Sequence, residues 1–224
     1  MFFGAEFSES FLYSLLTIVA LAMAFFVALP AHEFAHAFAA KREGDYTAVA
    51  HRRYTLAFLP HFDWKGFLFL LIFRFGWAKP VPIDERNFKR GKKSKFLVSI
   101  AGVLANFILG AFFLFMICLV LKINPNFFVD NAYGYLLYQF LNVSVYLNFT
   151  FVIFNILPIY PFDGYKIAEC FCSYDSKFLA FTKQYAILLY ILLAFSTIYY
   201  YYYTYTAGLM ITGLTKLYSL ILGL

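Results

Sequence analysis

The sequence H-E-F-A-H at residues 32–36 contains the side chains with the clearest chemical potential. On a helix, residues four positions apart share one face, so His32 and His36 can offer two imidazole nitrogens to one metal ion. Glu33 lies beside them and can act as a general base on a metal-activated water. The spacing therefore predicts a hydrolytic metal site.

The motif lies at the end of a long apolar run over residues 11–40. Ionisable residues at membrane depth cost about 2.5–3.5 kcal/mol or more each, so three of them within five positions require a partner. A metal ion would satisfy both histidines at once. The alternative is a solvated helix end just outside the membrane, but the alanine and phenylalanine residues at positions 37–40 argue against it.

A catalytic zinc ion usually has three protein ligands, so a third must come from a distant part of the chain. Asp163 ends an apolar run and is followed by Gly164. A carboxylate there could bind zinc, but Asp-Gly is also a strong turn signal, and taken alone a turn explains it better. His51 and His61 are further candidates, although their basic surroundings predict surface histidines.

The elements that must position these side chains belong to a membrane protein. Of 224 residues, 63% are hydrophobic and 13% are charged, whereas soluble domains average about 45–50% apolar and about 25% charged residues. A bilayer span needs about 20 apolar residues. The sequence predicts an all-α polytopic helical bundle in one domain, residues 1–224, with helices at residues 11–40, 96–121, 135–163 and 178–203 and a fifth candidate at 207–224.

The net charge of +6 is unevenly distributed, since thirteen of the 18 Lys and Arg residues lie between Lys41 and Lys95. Basic loops face the cytoplasm, so we expect the N-terminus outside and the metal site toward the cytoplasm, in a bacterial inner membrane. Residues 1–10 carry Glu6 and Glu9 and no basic residue, which is unlike a signal peptide. The charge pattern reports topology, and we expect no nucleic-acid partner.

The apolar segment W-K-G-F-L-F-L-L-I-F-R-F-G at residues 64–76 is too short to span a bilayer and contains Arg74. Its length predicts a re-entrant or interfacial element, and its content of Phe and Ile also allows a strand or hairpin. Non-helical backbone at membrane depth is tolerated only where it is buried in protein or lines a wet cavity. We therefore expect this segment beside the metal site.

Four segments together resemble the site-2 protease family of intramembrane zinc metalloproteases. H-E-F-A-H at 32–36 is similar to the family's metal-binding helix, and G-W-A-K-P-V-P at 76–82 to the stretch after its membrane-associated hairpin. A-G-V-L-A-N at 101–106 resembles its A-G-P-L-A-N helix, and N-I-L-P-I-Y-P-F-D-G at 155–164 resembles N-x-x-P-x-x-P-x-D-G. Together these matches, which span residues 32–164, are far more specific than any one alone.

The resemblance implies one zinc ion per chain, with His32, His36 and Asp163 as ligands. It implies that Glu33 is the catalytic acid/base and that Asn155 holds the substrate or polarises its carbonyl group. It also implies a three-helix catalytic core with peripheral helices, in a short member without a PDZ domain. The expected partners are transmembrane protein substrates and the lipid bilayer.

Two positions depart from the family pattern. Val103 stands where the family usually has Pro, which changes helix geometry, and Tyr165 follows Asp163-Gly164 where a second Gly is frequent. Neither departure removes a predicted metal ligand.

Two other classes of protein could use intramembrane His and Asp residues. A metal-ion transporter or channel would bind a passing ion, but it gains nothing from Glu33 beside the histidines, and the sequence lacks the internal repeats typical of transporters. A non-catalytic membrane scaffold would not need an intact set of His32, Glu33, His36 and Asp163.

Overall fold

The computed structural model describes residues 2–73, 78–129, 132–173, 175–195 and 197–223. Within these residues the regular secondary structure is entirely helical, so the predicted all-α fold class is confirmed. A short 3₁₀ turn covers Glu85–Asn87. The α-helices are α1 (Phe2–Arg42), α2 (Thr47–Ala50), α3 (Phe58–His61), α4 (Trp64–Phe73), α5 (Lys92–Ile123), α6 (Ala132–Asn155), α7 (Asp163–Phe171), α8 (Lys177–Gln184), α9 (Ala186–Phe195) and α10 (Thr197–Leu222).

Three helical segments in the described part of the chain are long and apolar enough to cross a membrane: Ser14–Arg42, Lys92–Ile123 and Ala132–Asn155. They belong to α1, α5 and α6, which pack against one another. Helix α7 packs on α5, and α10 packs on α5 and α6. The chain is therefore an integral membrane protein built around a core of three helices, as the family resemblance implies.

The third predicted helix ends earlier than expected. Helix α6 stops at Asn155, whereas the sequence prediction extends it to residue 163. Pro158 and Pro161 lack the backbone N–H that a continuing helix needs, and each disfavours helical backbone in the residue before it. A short irregular segment over residues 156–162 results, and a new helix, α7, begins at Asp163.

The C-terminal helices are also divided differently from the prediction. The predicted helix 178–203 corresponds to α8, α9 and the beginning of α10, with α8 and α9 separated at Tyr185. Helix α10 then continues from Thr197 to Leu222 without the expected break near residue 205. Its Gly208 and Gly213 do not interrupt it, because one glycine costs a helix only about 1 kcal/mol.

The apolar segment 64–76 forms helix α4 over Trp64–Phe73, so the strand alternative is wrong for these residues. Residues 74–77, which include Arg74 and the beginning of the G-W-A-K-P-V-P motif, lie outside the described residues. The Phe67 ring lies 6.1 Å from the ring of Phe25, between centroids, and so packs α4 beside α1.

The basic region between α1 and α5 is folded against the end of α1. The buried Asp45 carboxylate accepts hydrogen bonds from the backbone N–H of Asp84 at 2.8 Å and from the side-chain amide of Asn87 at 2.9 Å. Glu43 pairs with Arg90 and accepts a hydrogen bond from the Ser94 hydroxyl at 2.5 Å. These contacts tie residues 84–94 to the end of the helix that carries the H-E-F-A-H motif.

Candidate metal centre

Three potential ligand atoms from α1 and α7 lie close together. The Nε2 atoms of His32 and His36 are 3.1 Å apart. The Oδ2 atom of Asp163 lies 3.3 Å from the first and 3.0 Å from the second. His36 and Asp163 are buried, each with 4% of its surface exposed. Side chains from two successive turns of α1 and from the first residue of α7 thus converge on one point.

The hydrogen bonds behind the two rings set their tautomers. The Nδ1 atom of His32 lies 2.6 Å from Oδ1 of Asn106, and Nδ1 of His36 lies 2.8 Å from the carbonyl oxygen of Val98. Both partners are acceptors, because the Asn106 amide nitrogen already donates to the carbonyl of Ala28 and to Asn148. The protons of neutral rings therefore reside on Nδ1, and both Nε2 atoms present lone pairs.

A cation suits this arrangement better than hydrogen bonding does. Two ring nitrogens, which carry lone pairs in the neutral tautomers, face a carboxylate oxygen, and Asp163 Oδ2 is buried without a hydrogen-bond partner among the described residues. Ligand atoms of tetrahedral zinc, at bond lengths of about 2.0–2.2 Å, lie about 3.3–3.6 Å apart. The observed separations of 3.0–3.3 Å are close to this range. The residues present therefore fit a zinc ion.

Gly102 allows α5 to pass against the two histidine rings. A Cβ atom at this position would lie 2.4 Å from Nε2 of His36 and 2.6 Å from Cε1 of His32. No ordinary side chain has room there without displacing the rings. The A-G-V-L-A-N motif thus serves the site twice, because Gly102 leaves space for the histidines and Asn106 orients one of them.

Glu33 is held apart from the three converging atoms. Its side chain is buried, with 8% exposed, and its Oε2 atom accepts a hydrogen bond from the backbone N–H of Val81 at 2.8 Å. Val81 belongs to the G-W-A-K-P-V-P motif, so this contact explains why that motif accompanies the metal-binding helix. The hydrogen bond fixes one oxygen of the carboxylate beside the histidine that it neighbours in sequence.

The irregular segment after α6 brings Asp163 to the histidines. A Cβ atom at Gly164 would lie 2.3 Å from the carbonyl oxygen of Ile156 and 2.4 Å from that of Leu157. Glycine is therefore required for the chain to fold back tightly before α7 begins. Lys166 Nζ lies 3.8 Å from the second carboxylate oxygen of Asp163 and adds a positive charge nearby.

The other predicted residues are placed as follows. Asn155 is half-buried and is the last residue of α6, at the start of the segment that leads to Asp163. His51 is exposed, as predicted, but the surface prediction for His61 is wrong because its side chain is completely buried. Tyr165 is buried, and its ring packs edge-on against that of Tyr160 at 5.5 Å between centroids.

The sequence reasoning missed Asn148, which supports the site from α6. It is fully buried, its Oδ1 accepts a hydrogen bond from Asn106 at 2.8 Å, and its own amide donates to the carbonyl of Ser144 at 2.8 Å. The signal was present in the sequence, because a polar amide inside an apolar span needs a partner. The network joins α1, α5 and α6 through His32, Asn106 and Asn148.

Comparison with known proteins agrees with this geometry. The sequence model of peptidase family M50 matches residues 20–136. The chain belongs to this family. This M50 peptidase is also 36% identical over 162 residues, 72% of its length, to a Bacillus subtilis (strain 168) protein named "Putative zinc metalloprotease YwhC", of which 73% is covered. No solved structure matches the chain.

Membership of family M50 makes the chain a zinc metallopeptidase of the site-2 protease type, with protein substrates. The resemblance inferred from the four motifs is thereby confirmed. The matched residues 20–136 include the H-E-F-A-H and A-G-V-L-A-N motifs, whereas Asp163 lies beyond them. The convergence of Asp163 on the two histidines therefore adds a structural observation to the family-model match.

Proposed function

We propose that this M50 peptidase hydrolyses peptide bonds in or near the transmembrane segments of other membrane proteins, with residues 1–224 as one protease domain. The observation that carries the proposal is the position of the three converging ligand atoms. His32 and His36 lie inside the apolar segment Ser14–Arg42, and Asp163 joins them from α7. A hydrolytic site built on a membrane-spanning helix favours substrates that share the same bilayer.

In this proposal His32, His36 and Asp163 hold one zinc ion per chain. Zinc, when bound, supplies Lewis-acid activation of water and of the scissile carbonyl group. The contribution of the chain is to hold each neutral imidazole as the Nδ1–H tautomer with its Nε2 lone pair directed toward Asp163, which the acceptors behind each Nδ1 accomplish.

Glu33 is the proposed proton carrier. It takes a proton from the attacking water and later delivers it to the departing amine. The Val81 N–H holds Oε2, so that Oε1 is the oxygen that exchanges the proton. A transporter has no use for a carboxylate positioned in this way, so this contact favours hydrolysis over the alternative of metal transport.

Asn155 is the proposed substrate-binding residue. It ends α6, where the chain leaves the helix toward Asp163, and its side chain is half-buried. An amide at a helix end next to a hydrolytic site can hydrogen-bond an extended peptide backbone or the developing oxyanion. Removal of such a donor typically costs about 10²–10³ in rate.

The proposed topology places the N-terminus outside and the active site toward the cytoplasm, in the bacterial cell membrane. Lys41 and Arg42 close α1 shortly after His36, so the site lies near the basic end of the first span. Water can reach this end of the helix more easily than the bilayer centre. Residues 84–94 of the basic region pack at the same end, through their contacts with Glu43 and Asp45.

Mapping of the cleavage site tests the proposed function. The full-length chain and a tagged single-span membrane protein are reconstituted together in liposomes, and the product termini are identified by mass spectrometry. We expect cleavage within or next to the substrate's transmembrane segment, and none after removal of zinc with a chelator. Cleavage confined to extramembrane loops would contradict intramembrane proteolysis while leaving the metallopeptidase assignment intact.

A further inference from the structure

Arg53 is a buried guanidinium outside the metal site. Only 8% of its surface is exposed, and in the described part of the chain no carboxylate lies within salt-bridge distance of it. Its Nη2 atom instead donates to the carbonyl oxygen of Lys79 at 2.6 Å and lies 3.4 Å from that of Pro80. A buried charge is costly unless it forms hydrogen bonds, so these two carbonyl groups are what the side chain is placed to bind.

His61 also contacts this segment and Arg53. Its Nε2 donates to the carbonyl of Thr55 at 2.9 Å, which leaves Nδ1 as an acceptor 3.3 Å from Nη2 of Arg53. The carbonyl oxygen of His61 accepts a hydrogen bond from the backbone N–H of Lys79 at 2.9 Å. Arg53 and His61 therefore hold the backbone of Lys79 and Pro80 in place. His61 binds the Lys79 N–H, and Arg53 faces the two carbonyl groups.

The next residue in this segment is the one that holds Glu33. Val81 donates its backbone N–H to Glu33 Oε2 at 2.8 Å. Pro80 and Pro82 on either side have no N–H and a fixed φ angle, so Val81 is the sole backbone donor of this tripeptide. The direction of that donor depends on where the preceding carbonyl groups are held.

We propose that Arg53 is a positioning residue for Glu33. By binding the carbonyl groups of Lys79 and Pro80, it aims the Val81 N–H at the Glu33 carboxylate. The inference rests on the proposed role of Glu33 as proton carrier, and Arg53 itself touches no reacting group. A lysine is a poor substitute, because one nitrogen, Nη2, makes all three contacts and a lysine side chain ends one bond short of that atom.

The first test measures kcat, KM and zinc content for the full-length chain in detergent, with a fluorescent single-span membrane protein as substrate. We expect Arg53→Gln to lower kcat about 10- to 100-fold, the usual cost of losing a group that orients a functional residue. KM, zinc stoichiometry and the thermal midpoint should stay near wild type. Arg53→Lys should recover only part of the loss. Arg52→Gln, at the exposed neighbouring arginine, is the matched control and should retain wild-type kcat.

A double-mutant cycle separates this role from general loss of packing. Val81→Pro removes the N–H, whereas Val81→Ala keeps it and trims the side chain. If Arg53 acts through Val81, then Val81→Pro lowers kcat and adding Arg53→Gln lowers it no further. Val81→Ala should leave most of kcat in place. Multiplied losses in the double variant would overturn the inference.

Each remaining outcome is also informative. An Arg53→Gln enzyme with wild-type kcat per bound zinc overturns the inference alone. Wild-type protein that holds zinc but cleaves no membrane substrate overturns the proposed function and the inference with it. If Val81→Pro loses zinc or fails to fold, kcat per zinc-loaded chain in Arg53→Gln and Arg53→Lys still decides whether Arg53 is needed for turnover.

Discussion

Gly102 lies where α5 passes closest to the two histidine rings, and the identity of this one residue determines whether the rings can converge. The site depends on such small features as much as on its ligands. Asn106 holds the tautomer of His32, and Val98 does the same for His36 through its carbonyl oxygen. None of these groups would itself bind metal, yet each determines where a ligand lone pair points.

Substitution of Gly102 tests this dependence. In Gly102→Ala the new Cβ would lie 2.4 Å from His36 Nε2, so the ring must move. We expect zinc affinity to fall about tenfold or more, as when an orienting contact is lost. Gly208→Ala is the matched control, because a Cβ there meets nothing within 4 Å and alanine favours helix α10. Competition with a zinc chelator measures the zinc affinity of both variants. Unchanged affinity in Gly102→Ala would contradict the close packing.

At the scale of elements, the apolar runs predict α1, α5 and most of α6, because a bilayer span has few alternatives to a long helix. The end of α6 was also readable in principle, since Pro158 and Pro161 cannot continue a helix. The burial of His61 could not be predicted from the sequence, because its partners Arg53 and Thr55 are close only after the basic region folds. Similarly, the Glu33–Val81 hydrogen bond joins residues whose proximity depends on the packing of the whole region.

The two carboxylates at the end of α1 should make stability depend on pH. The Arg90 guanidinium and the Ser94 hydroxyl hold the pKa of Glu43 below its usual range. Burial raises the pKa of Asp45, but hydrogen bonds from Thr47 and other donors more than offset this and lower it. A lowered pKa in the folded state stabilises the fold above the ordinary carboxyl pKa, about 4, and that stabilisation is lost as the pH falls through the folded-state values.

We therefore expect Glu43→Gln to lower the thermal midpoint at pH 7, with a difference from wild type that shrinks as the pH falls below about 4. Glu85→Gln is the control, because its ion pair with Lys95 is exposed on the Glu85 side and such pairs contribute little. Unfolding in detergent at several pH values measures both. A Glu43→Gln deficit that stayed constant down to pH 3 would contradict the electrostatic explanation.

At the scale of the whole molecule, three helices in the described part of the chain are long and apolar enough to cross the membrane, and the basic region lies between the first two. The loop between α5 and α6 must then lie on the opposite side from that region. By the positive-inside rule, the charge asymmetry predicts that the basic side faces the cytoplasm. The proposed orientation of the active site follows directly from this assignment.

Cysteine labelling tests the topology, in a variant that lacks the three native cysteines. Lys93 is exposed at the beginning of α5 and Asn126 is exposed in the α5–α6 loop, so each is replaced by cysteine in turn. We expect a membrane-impermeant thiol reagent to label Asn126→Cys on intact cells and Lys93→Cys only after permeabilisation. The reverse pattern would place the active site toward the outside.

The central claim is that this chain is a metal-dependent protease in which Glu33 carries the proton, and Glu33→Gln tests it most directly. Glutamine keeps the shape of the side chain and can still accept the Val81 N–H, but it cannot act as a base. The measurement compares bound zinc and cleavage of a single-span membrane substrate for wild type and Glu33→Gln. We predict one zinc per chain in both proteins and a loss of cleavage of about 10²–10⁴-fold or more in the variant. Cleavage retained at the wild-type rate in zinc-loaded Glu33→Gln would contradict the account.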